Sequence, residues 1–261
     1  MNKQLQQPAV SSRRVFLAEG SRFVTLGGLA MLATALGLPA AAIGQDWGTL
    51  SRQSLRGGSG VVKSIRGSAS AGGRPLTLGA QVNSGEKITT AVGAVVILSL
   101  SDNTIMRING NTSLQLEIGA NRSGIFKLTV GSLLTVMPTR NRYLVQLPTA
   151  VVGIKGTVFF QQIYHPGETT AVGMEQKRYT IPEGVREYFC LCNGAADFVE
   201  KGSMGTFFSD KAEHHNSYYI DPSRPNPLVK APMVNHSDEQ ISQLIDLQDG
   251  PKHDSGFLGR Y

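Results

Sequence analysis

From Val61 to about residue 200 hydrophobicity repeats every second residue, and this period sets the limits on what the chain can become. Leu114, Leu116 and Ile118 alternate with Ser113, Gln115 and Glu117; Phe126, Leu128 and Val130 alternate with Lys127 and Thr129. In a strand such alternation gathers the apolar side chains on one face. Turn signals separate the runs: Ala71, Gly72 and Gly73; Asn83, Ser84 and Gly85; Ser101, Asp102 and Asn103; Asn109, Gly110 and Asn111; and Asn121 to Gly124. Strands at a spacing of about ten residues predict an all-β fold, an antiparallel β-sandwich or short β-solenoid of many short strands. No helical period intervenes between residues 60 and 200, which argues against a βαβ enzyme.

The segment Leu147 to Phe160, L-P-T-A-V-V-G-I-K-G-T-V-F-F, reads as a buried strand broken at Gly153 and Gly156. Glycine inside a strand marks a bulge, a bend or a place where another backbone comes close. Lys155, between the two, is expected to face away from the apolar side.

The chain carries a formal charge of +6. Half of it sits in residues 1–42, where Lys3, Arg13, Arg14 and Arg22 face only Glu19, and the remainder contains no basic cluster. A nucleic-acid surface needs such a cluster, so nucleic acid is not an expected partner. Ser12, Arg13, Arg14, Val15, Phe16 and Leu17 form the S-R-R-x-F-L core of a twin-arginine export signal. The apolar run Phe23 to Leu38 that follows is short for a membrane span and holds three glycines. Pro39 and Ala40, Ala41 and Ala42 then supply a small-residue cleavage site. The expectation is a periplasmic protein cleaved near Ala42, with membrane contact only if the signal stays uncleaved. Signals of this type carry folded proteins, often ones loaded with a cofactor.

The order of residues within the β region resembles the FecR domain. The resemblance rests on Leu76, Gly79, Ser84, Gly85, Ile88 and Thr89; Val96, Leu98, Leu100 and Asp102; Gly124, Phe126, Leu128, Gly131 and Leu133; and Thr149, Ala150, Val152, Gly153, Ile154, Gly156 and Thr157. It covers about residues 58–200. The family's closing T-P-x-A-x-x-x-(R/K)-G-T-x-F is its most specific piece; here Pro148 precedes Thr149, the reverse of the usual order. Well-known members join a cytoplasmic anti-sigma segment and one membrane span to a periplasmic β domain that hears an outer-membrane iron-siderophore receptor. Only 22 residues precede the apolar run in this chain, too few for that cytoplasmic part. The resemblance therefore implies a periplasmic binding or sensing module whose partner is a periplasmic or outer-membrane protein.

Chemistry concentrates beyond that stretch. Tyr188, Phe189, Cys190, Leu191 and Cys192 form an aromatic-flanked Cys-x-Cys, whose sulfurs share one face of a strand. Next-but-one residues of a regular strand lie about 7 Å apart, at the limit for a disulfide, so a direct bond needs a bent backbone. One metal ion between two thiolates needs less distortion. His214 and His215 follow in the polar segment Ser209 to Ser217, beside Glu213, and His236 lies further on. Cys190, Cys192, His214 and His215 make the candidate metal set, the ligand types of a tetrahedral zinc site, with copper(I) also suited to thiolates. A strained or intermolecular disulfide, or unligated thiols with solvated histidines, are the competing readings. Cys190 or Cys192 with His214 or His215 is also the composition of a thiolate and base pair. No G-x-S-x-G, H-E-x-x-H or phosphate loop accompanies it, so no enzyme is expected.

Past residue 220, Pro222, Pro225, Pro227 and Pro232 predict an extended linker. Ser237 and Gln240 then form a capping box, Ile241, Leu244 and Ile245 lie on one helical stripe, and Gly250 and Pro251 stop the helix. A helix of about ten residues cannot stand alone and is expected to dock on the β domain or a partner. The organisation is thus a signal over 1–42, a linker over 43–57, the β domain over 58–200, a Pro-rich segment with the His pair over 201–236, one short C-terminal helix over 237–250 and a tail over 251–261.

Overall fold

The structure, a computed structural model, describes residues 57–119, 122–173, 176–200 and 207–249. The export signal and the tail lie outside the described residues, as does the linker up to residue 56. Strands run as β1 Ser59–Arg66, β2 Ala69–Ala71, β3 Arg74–Pro75, β4 Gln81–Asn83, β5 Lys87–Thr90, β6 Val95–Leu100, β7 Ile105–Ile108 and β8 Ser113–Ile118. They continue as β9 Ser123–Val136, β10 Arg142–Gln146, β11 Ala150–Ile163, β12 Thr170–Val172, β13 Arg178–Thr180, β14 Glu187–Glu200, β15 Phe207–Ala212, β16 Asn216–Ile220 and β17 Leu228–Lys230. One helix, α1, spans Asp238–Asp246. The all-β body with a short C-terminal helix is as the periodicity predicts.

Fifteen strands join in a single large sheet, and β12 pairs with β13 in a small one. The pairing is antiparallel except for β9 with β10, which run parallel from Arg142 opposite Ser123 to Gln146 opposite Lys127. The sheet is therefore mixed; side-chain alternation is the same for parallel and antiparallel pairing and does not distinguish them. Two branches leave β9: its first half pairs β8, which leads to β5, β2 and β3, while its second half pairs β7, which leads to β6, β1 and β4. Ile88 and Leu114 from one branch meet Val62, Val96 and Leu98 from the other in one apolar core.

The turn residues sit where positive φ is needed. Asn103 between β6 and β7 and Asn111 between β7 and β8 have φ of 68° and 55°, a region that asparagine tolerates better than most residues. The fifth interruption differs slightly, because Arg122 takes the positive φ and Ser123 and Gly124 already belong to β9.

β9, β11 and β14 are each 14 residues long and form the middle of the molecule. In β11 the break falls at Gly156, with φ of 49°, and the register to β14 shifts between Lys155 and Val158. Beyond this bulge both faces of the sheet are covered. Phe159, Ile163, Phe189 and Leu191 belong to the main core, while Val158, Phe160, Tyr188, Cys190 and Cys192 join Ile241, Leu244 and Ile245 of α1 in a second core. That second core is where the candidate metal ligands gather.

Candidate metal centre

Cys190 and Cys192 lie in β14, both fully buried on the face that α1 covers. Strand alternation places them on that common face, while Leu191 between them points into the main core. Their sulfurs stand 3.7 Å apart, and both thiols are free of a disulfide.

Histidine reaches them through a fault in the strand opposite. β14 pairs with β16 over Glu187 to Leu191 and with β15 over Gly194 to Val199. β15 and β16 thus run in line along one edge of β14, and the gap between them holds Glu213, His214 and His215. Gly194 has φ of 105° and His215 φ of 30°, so the backbone turns out of the ladder on both strands at this level. The turn brings His215 Nδ1 to 3.3 Å from Cys190 Sγ. Its other nitrogen, Nε2, lies 2.7 Å from Asp238 Oδ1.

The fourth member comes from the segment before α1. Val234 forms a bridge with Gly173, and Asn235 accepts the Val172 N–H at 2.9 Å and donates its amide to Gln162 Oε1 at 2.7 Å. The Tyr188 hydroxyl, 3.0 Å from Ser217 Oγ and 3.1 Å from the Pro232 carbonyl, accepts the Val234 N–H. So anchored, the chain delivers His236 over Phe160, rings stacked 4.5 Å apart. His236 Nε2 lies 3.4 Å from both Cys192 Sγ and His215 Nδ1, and its Nδ1 lies 2.7 Å from the Val234 carbonyl.

The structure therefore brings Cys190, Cys192 and His215 together, with His236 as the fourth group; their ligand atoms all lie within 4.8 Å of one another. His214 is not in this set. Its ring is 43% exposed and its Nε2 lies 4.0 Å from Asp238 Oδ2, so it stands on the outer side of the carboxylate. Sequence spacing alone pairs the adjacent histidines, but the backbone turns at His215, with φ of 30°, and the two rings stand nearly perpendicular, at 88°. The signal that could have found His236 is its place one residue before the Ser237 cap, which ties it to the start of a docked helix. Asp238, the first residue of α1, was also missed.

The electrostatics fit a shared proton pool. Burial pushes the Cys190 thiol up, but hydrogen bonding from Cys192, His215 and His236 outweighs it and holds the group well below the usual thiol range. Cys192 goes well above that range, through burial first and then through its bond to Cys190 and that group's charge. His215 is depressed by burial, yet its bonds to Cys190 and Asp238 leave it above the ordinary imidazole value. A thiolate next to imidazoles is a nucleophile and a metal ligand in equal measure. Complete burial of both sulfurs suits the second role.

The sheet core that carries this centre contains the interrupted strand β11 and the turns named above. Residues 86–176 match the family described as FecR protein. The FecR match runs from the turn before β5 to just past β12, inside the span of about 58–200 that the resemblance covers. It stops short of Cys190, Cys192, His215 and His236. No curated protein matches the chain. Among solved structures, two crystal structures of a candidate anti-sigma factor from Parabacteroides distasonis ATCC 8503 are similar at 11% identity, with TM-scores of 0.41 and 0.40. The alignments cover 61% and 56% of this chain and 64% and 59% of those chains, under two thirds of either. Likeness at this level says nothing about activity. Among the described residues no helix is long and apolar enough to cross a membrane.

Proposed function

We propose that this chain is an exported periplasmic FecR-like β domain that acts as a binding or signal-sensing module through protein–protein contacts, without catalysis of its own. The observation that carries the reading is the FecR match from β5 to β12, within an all-β body. Export is supported by Ser12, Arg13, Arg14, Phe16 and Leu17 in twin-arginine order, followed by the apolar run and the Ala40–Ala42 site. The absence of catalysis is supported by the site itself, since both thiols are fully buried and a reactive cysteine needs access to its substrate.

Fractionation of the native host tests both halves. The mature chain is expected in the periplasm, and replacing Arg13 and Arg14 with lysine is expected to leave the precursor in the cytosol. Photo-crosslinkers placed on exposed positions between β5 and β12 are expected to join the chain to one defined periplasmic or outer-membrane protein. A wild-type chain that stays in the cytosol, or crosslinkers that trap no protein from any of these positions, would refute the proposal.

A further inference from the structure

We infer that Cys190, Cys192, His215 and His236 bind one zinc(II) ion in a closed tetrahedral site, and that this ion fastens the C-terminal segment carrying α1 to the sheet.

The spacing of the four atoms carries the inference. Zinc bonds of about 2.3 Å to sulfur and about 2.05 Å to nitrogen, arranged tetrahedrally, put two sulfurs about 3.8 Å apart, two nitrogens about 3.3 Å apart and sulfur about 3.6 Å from nitrogen. The observed separations are 3.7 Å for the sulfurs, 3.4 Å for the nitrogens, and 3.3 and 3.4 Å for the sulfur–nitrogen pairs. These four edges lie within about 0.3 Å of the tetrahedral values, and the two remaining pairs also fall within 4.8 Å. The set leaves no protein ligand missing, as in structural rather than catalytic zinc sites.

The surroundings are those of metal ligands as well. Each imidazole offers one nitrogen to the cluster and engages the other elsewhere: His215 with the Asp238 carboxylate and His236 with the Val234 carbonyl. Such outer partners fix the tautomer and aim the ring, which is the usual arrangement around ligating histidine. Charge agrees too. Two thiolates, two neutral imidazoles and one divalent ion form a neutral unit, whereas a thiolate alone in this core is a buried charge. Two sulfurs with two nitrogens in tetrahedral array select zinc over the square-planar preference of copper(II) and the oxygen-rich sites of magnesium or calcium.

The fastening follows from where the ligands sit. Cys190 and Cys192 belong to the central strand β14, His215 to the break between β15 and β16, and His236 to the segment that leads into α1. The ion closes a loop between the sheet and a nine-residue helix that is too short to persist alone. Because these residues lie outside the FecR match, the inference stands or falls independently of the proposed function.

The test uses the full chain, purified under reducing conditions, stripped with a chelator and titrated with Zn2+ alone. Uptake of about one zinc per chain is expected, and Co2+ in its place should give the intense visible bands of tetrahedral coordination together with thiolate charge transfer. His214→Ala should keep both signals, while Cys192→Ser and His236→Ala lose them. Asp238→Asn should weaken zinc binding about 10–100-fold. Zinc should also protect the chain beyond Ile220 from limited proteolysis, and chelation should expose it. The cobalt spectrum needs no substitution, so it decides the matter even where a ligand variant fails to fold. The site is overturned by a natively folded wild-type chain that takes up no zinc, by copper in its place, by an octahedral cobalt spectrum, or by a Cys190–Cys192 disulfide in freshly isolated protein. Loss of binding in His214→Ala with retention in His236→Ala overturns the ligand set, and proteolysis indifferent to zinc overturns the fastening.

Discussion

Individual residues in this protein are constrained most tightly where backbone approaches backbone. At Gly156 a Cβ would stand 2.2 Å from Thr139 Cα, and φ is 49°, so Gly156→Ala combines a left-handed backbone with a clash that no side-chain rotation relieves. A loss of about 2–4 kcal/mol is expected in urea unfolding, and an unchanged midpoint would contradict the assigned bulge. Tyr143 offers a different case. Its ring stacks on Phe126 and its buried hydroxyl donates to Asp102 Oδ2 at 2.6 Å. Tyr143→Phe keeps the ring and removes a bond to a carboxylate, so a cost of about 1.5–3 kcal/mol is expected from the same measurement. Gly156 was legible in the sequence because a glycine amid β-branched residues has a backbone meaning. The choice between His214 and His215 was not legible, since it depends on how one turn departs from its ladder.

Among the elements, α1 shows how a weak local signal becomes firm structure. Ser237 accepts the Gln240 N–H as the capping pattern predicts, and Ile241, Leu244 and Ile245 are buried. They meet Ile105, Leu134, Val136 and Phe160 in the second core. The helix ends at Asp246 with Leu247 as its cap, within the expected span and before Gly250. Ser237→Ala should cost about 1 kcal/mol and Leu244→Ala about 2–5 kcal/mol. Both would be read from chemical denaturation, and a neutral Leu244→Ala would mean that the helix does not dock. Strands were legible in proportion to their alternation. β8, with the pattern of half-buried and buried residues from Ser113 to Ile118, follows the period of two throughout. The run from Val158 to Ile163 is buried on both faces, and a strand covered on both sides loses the alternation that reveals which face belongs to which core. That is why the sequence reading found one apolar body and the structure holds two cores.

For the molecule as a whole, burial of phenols sets a limit in alkali. Tyr143 is driven well above the ordinary phenol range by burial, then by the charge of Asp102 and its hydrogen bond. Tyr164 and Tyr188 are raised as well, burial again being the first cause. Each of these groups keeps its proton in the folded state after the unfolded chain would lose it. Their contribution to stability is therefore fully present below the unfolded phenol value and is lost as pH rises beyond it. The melting temperature should hold up to about pH 9 and fall above about pH 10, with a shallower fall in Tyr143→Phe; a flat profile in strong alkali would contradict this burial. At the same scale, the joint between the sheet and α1 gives the β body its second core, and a zinc ion is the proposed fastener of that joint. X-ray absorption at the zinc edge of the full chain probes it most directly. Two sulfur neighbours at about 2.3 Å and two nitrogen neighbours at about 2.0–2.1 Å are expected, whereas a shell of oxygen and nitrogen alone, or the absence of bound zinc, would contradict it.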